Sequence, residues 1–490
     1  MLFYNPVDLR DYQQSLADDT RTAYAGGHRS PMIRLDTGGG KTRIFTHIAY
    51  GAAAKRKNVL VMAHRRELIE QISLSFSSFN LEHRIIAPPP IIRAIQYTQF
   101  KKFGRHFIDS NAKTSVASVQ TLAKNIHTVN PDLIIVDESH HAIVGSLYGN
   151  VISAFPRARL LLVTATPCRL DGTGLGVNFG GFADLLLHGP SMRWLIENGY
   201  LSDFEVFVPP VDARQDFKKQ YGDFKKSDVD AEYSKPKVVG CAIEHYLKIA
   251  NGLPCVTFCP SVKAAEFYAD EYRKHGINAV SVDGTMDGIE RSRRINGLAD
   301  GSVSVLTSAD LIGEGLDIPG IVVAQFLRPT MSISLMRQQA GRAFRKIAGK
   351  DKAILLDHVG NLDRLGWPDD DMEWSLEGVK KREQTNEKTI SFRTCGKCFA
   401  QYRPAPACPN CGDITNVTPR KIETESGTLV NINKEQREQI KLQEQKQKKQ
   451  EQRKCQTLDE LIELGIQRQY KFPRQWAEKI WHLKKTYRTN

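Results

Sequence analysis

Carboxylates are the scarcer charge in this chain: 55 Asp and Glu stand against 68 Lys and Arg, a formal net charge of +13. That imbalance favours a polyanionic partner, nucleic acid first. Long apolar runs are missing as well. No stretch of about 18 apolar residues occurs, so no membrane-spanning helix is expected. The N-terminal MLFYNPVDLRDYQQ lacks the basic-then-apolar order of a secretory leader. Cysteines are few and odd in number, nine in 490 residues, with Cys168, Cys241, Cys255 and Cys259 scattered through apolar segments. A disulfide framework is therefore not expected, and reduced thiols suit a cytoplasmic protein. No repeat of solenoid length is present.

What remains is ordinary globular material, 41% hydrophobic and 25% charged, in a chain too long for one core. Short apolar runs alternate with longer helical patterns. PMIRL (31–35), NVLVMA (58–63), TSVASV (114–119), DLIIVDE (132–138) and RLLLVTAT (159–166) each read as a buried strand. After an irregular, charged stretch the rhythm returns in PCVTFCP (254–260), NAVSVD (278–283), VSVLTSA (303–309), GIVVAQFL (320–327) and KAILLDH (352–358). Strands rich in Val, Ile and Leu on both faces, joined by crossover helices, describe a parallel sheet covered on both sides. The expected fold is α/β, with two such domains in series. The expected boundaries are 1–200 and 237–385, with a charged connector at 201–236, a cysteine module at 386–420 and a basic, polar helical tail at 421–490.

The stretch LDTGGGKT (35–42) follows the first strand and precedes a helix. Backbone N–H groups and the positive helix end there would face a phosphate, with Lys41 as a point charge and the Thr42 hydroxyl on Mg²⁺. The usual phosphate-loop pattern has glycine where this chain has Leu35, so a flexible glycine turn is the rival reading. LIIVDESHH (133–141) weighs against that rival. It is a strand ending in Asp137, suited to hold the metal, and Glu138, suited to polarise an attacking water. Together these two segments point to ATP hydrolysis.

Seven further segments join LDTGGGKT and VDESH: LRDYQ (9–13), AHRRELIEQ (63–71), SVQTL (118–122), TATP (164–167), FCPSVKAAE (258–266), TSADLIGEGLDIPG (307–320) and QQAGRAFR (338–345). In order and spacing this series resembles superfamily 2 helicases and translocases. The finer resemblance is to RadD-like bacterial proteins and phage-encoded DEAD/DEAH-type helicases.

The resemblance implies two RecA-like domains with ATP between them, and a bacterial or phage-infected cytoplasm. The first domain would hold the nucleotide through Thr37, Gly38, Gly39, Gly40, Lys41 and Thr42, with Arg10 and Gln13 at the adenine. Gly315 and Asp317 of the second would line the ribose side. Gln338, Arg342 and Arg345 would reach the γ-phosphate from the second domain. Thr164 and Thr166 would couple the ATP site to the track. Arg65, Gln120 and Thr121 on one domain, and Ser261, Gly284 and Thr307 on the other, would grip a sugar–phosphate backbone. DNA is favoured over RNA on the RadD-like resemblance alone. The rival classes are a nucleic-acid-stimulated ATPase that remodels proteins without separating strands, and an RNA helicase.

Beyond the motor segments, CGKCFAQYRPAPACPNCG places Cys395, Cys398, Cys408 and Cys411 as C-x2-C-x9-C-x2-C. Four thiolates at this spacing close a tetrahedral site of the kind Zn²⁺ prefers, structural because no position stays open. Such a ribbon could take DNA or a protein partner. Trp476 and Trp481 sit among basic residues, where a small helical core is the preferred reading over base stacking.

Overall fold

A computed structural model of the chain describes residues 8–169, 172–208, 236–309, 320–347 and 349–378. It also describes short pieces at 219–220, 223–224, 229, 393–394, 401–402, 430–432, 455, 457–467 and parts of 474–481. The four zinc-ribbon cysteines, Gly315, Asp317 and Trp476 lie outside the described residues.

The first sheet holds seven strands: β1 (Pro31–Arg34), β2 (Val59–Ala63), β3 (Arg84–Ile86), β4 (Thr114–Ser118), β5 (Leu133–Asp137), β6 (Arg159–Thr164) and β7 (Leu185–His188). They lie in the order β3-β4-β2-β5-β6-β1-β7, and every pairing is parallel. β1, β2, β4 and β5 are buried along their whole length, as both-face burial in a parallel sheet requires. The crossovers include α2 (Lys41–Ala54), α3 (Arg66–Ser78) and α4 (Pro89–Phe103), with α1 (Asp11–Ala25) ahead of the sheet. Because the strands are parallel, all their C-terminal ends share one edge. That edge carries the loops after β1, β2, β4, β5 and β6, which hold every first-domain motif except the one at residues 9–13.

The second sheet also has seven strands. Its order is Ala279–Val282, Val305–Ser308, Cys255–Phe258, Val323–Phe326, Lys352–Asp357, Asp203–Val208 and Val430–Ile432. Only the last pairing is antiparallel. All ten strands expected from apolar runs are present.

Two strands correct the expected organisation. Asp203–Val208 falls in the stretch read as a charged connector, yet it pairs with Lys352–Asp357 from Asp203↔Lys352 to Phe207↔Leu356. Its inward residues Phe204, Val206 and Val208 alternate with partly exposed ones, so it carries no continuous apolar run. Val430–Ile432, from the polar tail, pairs with it on the outer side. The tail also contributes the helix Leu458–Gln467. Among the described residues no helix is long and apolar enough to cross a membrane.

The two lobes touch across a seam. The Thr166 hydroxyl meets that of Ser334 at 2.6 Å. The Glu67 carboxylate pairs with Arg291 at 2.5 Å, both largely buried. A Cβ placed on Gly341 would stand 2.8 Å from that of Thr37, so a glycine lets the helix Ile333–Ala343 lie directly against the loop after β1. Leu376 and Glu377, beyond the second sheet, accept backbone hydrogen bonds from Gly176 and Gly174 of the first lobe.

Candidate active site at the seam of two lobes

The loop after β1 is shaped by what fills its underside. Leu35, the residue that departs from the usual pattern, is fully buried, and a Cβ on Gly39 would stand 2.7 Å from its side chain. The leucine thus serves as the floor of the loop, and its carbonyl accepts a hydrogen bond from Lys41 Nζ at 3.3 Å. Gly38 and Gly40 have φ of +86° and +87°, a region that Cβ-bearing residues enter only with strain. Gly40 also packs against the Gln13 amide, where a Cβ would collide. The turn therefore needs glycine at both places, and α2 starts directly after it.

Gln13 is buried and engaged at both ends of its amide. Its Nε2 donates to the Gly39 carbonyl at 3.0 Å, and its Oε1 accepts the Arg10 backbone N–H at 3.1 Å. Tyr12 donates to the same Gly39 carbonyl at 2.8 Å. Gln13 Nε2 also makes a longer contact to the Tyr12 hydroxyl at 3.5 Å, which leaves a lone pair on Oε1 as the amide's remaining capacity toward a base edge. Arg10 lies over the Tyr200 ring, 4.8 Å from its centroid, and hydrogen-bonds to the Tyr12 hydroxyl.

Asp137 and Glu138 end β5 as expected. Asp137 is buried, and its carboxyl is pushed up to about 7. The main cause is burial, then the Glu138 charge, against a smaller pull downward from Lys41. Glu138 adopts φ +49°, ψ +52°, a left-handed conformation costing a non-glycine residue roughly 1 kcal/mol or more. Its Oε2 is buried and makes no hydrogen bond, with His140 Nδ1 3.5 Å away.

A carboxyl whose pKa is higher folded than unfolded stabilises the fold at low pH, and that contribution is lost as pH rises through about 7. At pH 8, without nucleotide or metal, the charged Asp137 therefore costs stability. Asp137→Asn should raise the melting temperature by about 2–4 °C while abolishing turnover. Thermal melts in EDTA check this, and an unchanged or lower melting temperature refutes it.

Thr37, Gly38, Gly40, Lys41, Thr42, Asp137 and Glu138 from the first lobe share one cleft of about 200 Å³ with Arg342 and Arg345 from the second. Arg345 is lowered to about 10 by burial, so it stays charged at neutral pH. Gln338 is buried on the same helix as Arg342 but does not line the cleft. Gln71, Leu68 and Arg43 do line it; the first two belong to the AHRRELIEQ segment but carry no expected role, and Arg43 lies just past LDTGGGKT. The Thr42 hydroxyl and the Asp137 carboxylate provide the hard oxygens that Mg²⁺ prefers. The residues fit ATP with Mg²⁺.

The expected track residues fare unevenly. Arg65 and Gln120 meet at His64 on the C-terminal edge of the first sheet, and Thr121 follows Gln120 on the short helix Val119–Lys124. Gln120 Nε2 donates to the His64 carbonyl at 3.1 Å, and Arg65 Nε donates to His64 Nε2 at 3.3 Å. From there a series of rings runs inward: His64 to His141 at 4.6 Å, then His141 to His140 at 4.2 Å, ending beside Glu138. Gly284 is exposed. Ser261 caps the helix Val262–Lys274 by accepting the Ala264 N–H at 3.1 Å. Thr307 is a correction: it is fully buried and its hydroxyl donates to the Ala265 carbonyl at 2.6 Å, so it presents no group to a bound strand. The Thr164 hydroxyl is also turned inward, to Thr166 of its own turn, whereas Thr166 reaches the second lobe.

Comparison with known proteins agrees with this geometry. The family model of the type III restriction enzyme res subunit matches residues 6–169, and that of the helicase conserved C-terminal domain matches residues 238–346. The chain is 30% identical to a 51.5 kDa protein of Lactococcus phage (isolate 7-9), over 78% of this chain and 77% of that one. It is 26% identical to the candidate ATP-dependent helicase IRC3 of Saccharomyces cerevisiae over 73% of its length, and spans about half of that protein (52%). Two solved structures share the fold. One is a fragment of a candidate HsdR subunit of a type I restriction enzyme from Vibrio vulnificus (TM-score 0.54, 20% identity, 73% of this chain and 67% of that one). The other is the ATP-dependent type ISP restriction-modification enzyme LlaBIII bound to DNA (TM-score 0.50, 18% identity, 72% and 28%). With two domain families matched in tandem and the phosphate loop facing the arginines of the second lobe, the chain belongs to the superfamily 2 helicases of the phage and bacterial type, a family of ATP-hydrolysing enzymes.

Proposed function

We propose that this enzyme is a motor that uses ATP hydrolysis at the seam to move along or open nucleic acid, with DNA as the favoured track. The observation that carries the reading is one cleft lined by Lys41, Asp137 and Glu138 from one lobe and by Arg342 and Arg345 from the other. Hydrolysis then requires the lobes to be closed, so ATP favours the closed arrangement and loss of product releases it. DNA is supported by the restriction-enzyme relatives, one of which is described as bound to DNA.

In this reading the backbone N–H groups of Thr37 to Thr42 hold the phosphates, and Lys41 adds a point charge. Thr42 and Asp137 would hold Mg²⁺, which when bound neutralises charge on the phosphate oxygens. Glu138 accepts a proton from the attacking water. Arg342 and Arg345 stabilise the charge that develops on the transferred phosphoryl group; Gln338 lies one turn before Arg342 on the same helix. Gln13 and Arg10 read the adenine. Arg65, Gln120 and Thr121, with Gly284 and the cap at Ser261, take backbone phosphates, contacts that carry no sequence information. The ring series from His64 to His140 links that grip to Glu138.

The deciding measurement is ATP turnover across single-stranded, duplex and forked DNA and RNA, followed by strand separation on the best ligand. A motor on DNA shows turnover raised by DNA and salt-sensitive binding. Turnover raised by RNA alone overturns the DNA assignment. Stimulation without movement or strand separation supports a remodeller instead. For the tail, the spacing of Cys395, Cys398, Cys408 and Cys411 supports a structural Zn²⁺ site. About one zinc per chain is expected from elemental analysis of the purified protein, and none after those four are changed to Ser.

A further inference from the structure

Helix α4, PPIIRAIQYTQFKKF, has two unlike faces. Its inner face is fixed to the first lobe. Ile95 is buried, Gln99 donates to Ser73 Oγ at 2.8 Å and accepts from the Phe107 N–H at 2.7 Å, and Thr98 donates to Glu70 at 2.8 Å. The helix is therefore a firm platform. Its outer face carries Arg93, Tyr97, Phe100 and Lys101, spaced i, i+4, i+7 and i+8, all exposed. Tyr97 is 71% and Phe100 63% accessible, the most exposed aromatic rings among the described residues. From Pro89 to Phe107 the chain has Arg93, Lys101, Lys102 and Arg105 and no carboxylate.

Lysines in a last helical turn complement the helix dipole and need no further explanation. Two large rings held one turn apart in water do. Scattered single apolar residues are ordinary on a surface, whereas paired rings set among cations match one ligand chemistry. The flat faces stack on nucleobases and the cations meet the phosphates between them. A purely apolar partner would not call for four basic side chains in a segment that holds no carboxylate.

Position agrees with chemistry. α4 begins directly after β3, the edge strand beside β4, and β4 leads into Gln120 and Thr121. The start of α4 thus stands at the sheet edge that carries the proposed grip, and Tyr97 and Phe100 lie about 12–17 Å further along the helix. We propose that the outer face of α4 is a second binding site for single-stranded nucleic acid, where bases leaving the grip stack on Tyr97 and Phe100. The site rests on the motor reading above.

The test uses the full chain and a fluorescent oligo-dT, with binding followed by anisotropy. The double variant Tyr97→Ala, Phe100→Ala should bind at least about 30-fold more weakly, as the loss of two stacking rings predicts. Its melting temperature, and its ATP turnover without nucleic acid, should match the wild type. Tyr97→Phe with Phe100→Trp, which keeps both rings, should bind within about twofold of the wild type. Double-alanine binding equal to wild type overturns the site and leaves the motor reading standing. A wild-type chain that binds neither DNA nor RNA overturns the motor reading, and this site with it.

Discussion

Replacing Glu138 by glutamine should lower ATP turnover by about 10²–10⁴-fold, the range that general-base catalysis supplies, while leaving ATP binding within a few-fold of wild type. The substitution keeps size and shape but removes the proton acceptor. Glu138 Oε2 has no hydrogen-bond partner, so the amide displaces no existing bond there. Its left-handed backbone turns the chain out of β5 at a residue that lines the cleft, and glutamine inherits that geometry. Nucleotide affinity by fluorescent-ATP titration and turnover by phosphate release separate the two effects. Turnover within tenfold of wild type would move the base elsewhere, and Gln71, which shares the cleft, could then only orient a water and not accept its proton.

Much of this site was legible because its parts are local. A buried strand, a glycine turn and a helix start are written within about a dozen residues each. Asp137 and Glu138 follow a run whose burial on both faces admits few other structures. What could not be read depends on partners far away in the chain. Leu35 looks like a defect in the phosphate loop until its side chain is found beneath Gly39. Asp203–Val208 alternates in burial and sits among charges, so only its pairing with Lys352–Asp357 reveals it as a strand. Val430–Ile432 is too short to show a period at all. Thr307 failed for a different reason: motif order fixes where a threonine lies along a strand, but not which side of the sheet its hydroxyl takes. The ring contact between His64 and His141 joins residues 77 positions apart, beyond any local pattern.

The second large effect tests the seam itself. Arg342→Ala should reduce turnover by about 10³–10⁵-fold, the contribution of an arginine that stabilises transition-state charge in NTPases. Arg342 lies on the helix Ile333–Ala343, one residue after Gly341, and Gly341 stands against Thr37. The phosphate loop and this arginine are therefore brought together where the helix lies against the loop, with Arg337 of the same helix facing Asp36 and Ser334 meeting Thr166. The approach of Gly341 to Thr37 is possible because neither residue is large. ATP affinity should change much less than turnover, because Lys41 and the loop N–H groups belong to the other lobe. Arg342→Lys should recover only part of the loss, since an ammonium keeps the charge but not the planar fork. Because Arg342 is buried, a melting curve must first show the variant folded. If a folded Arg342→Ala enzyme turns over ATP within tenfold of wild type, its guanidinium does not act on the phosphoryl group, and closure of the lobes is not what switches hydrolysis on.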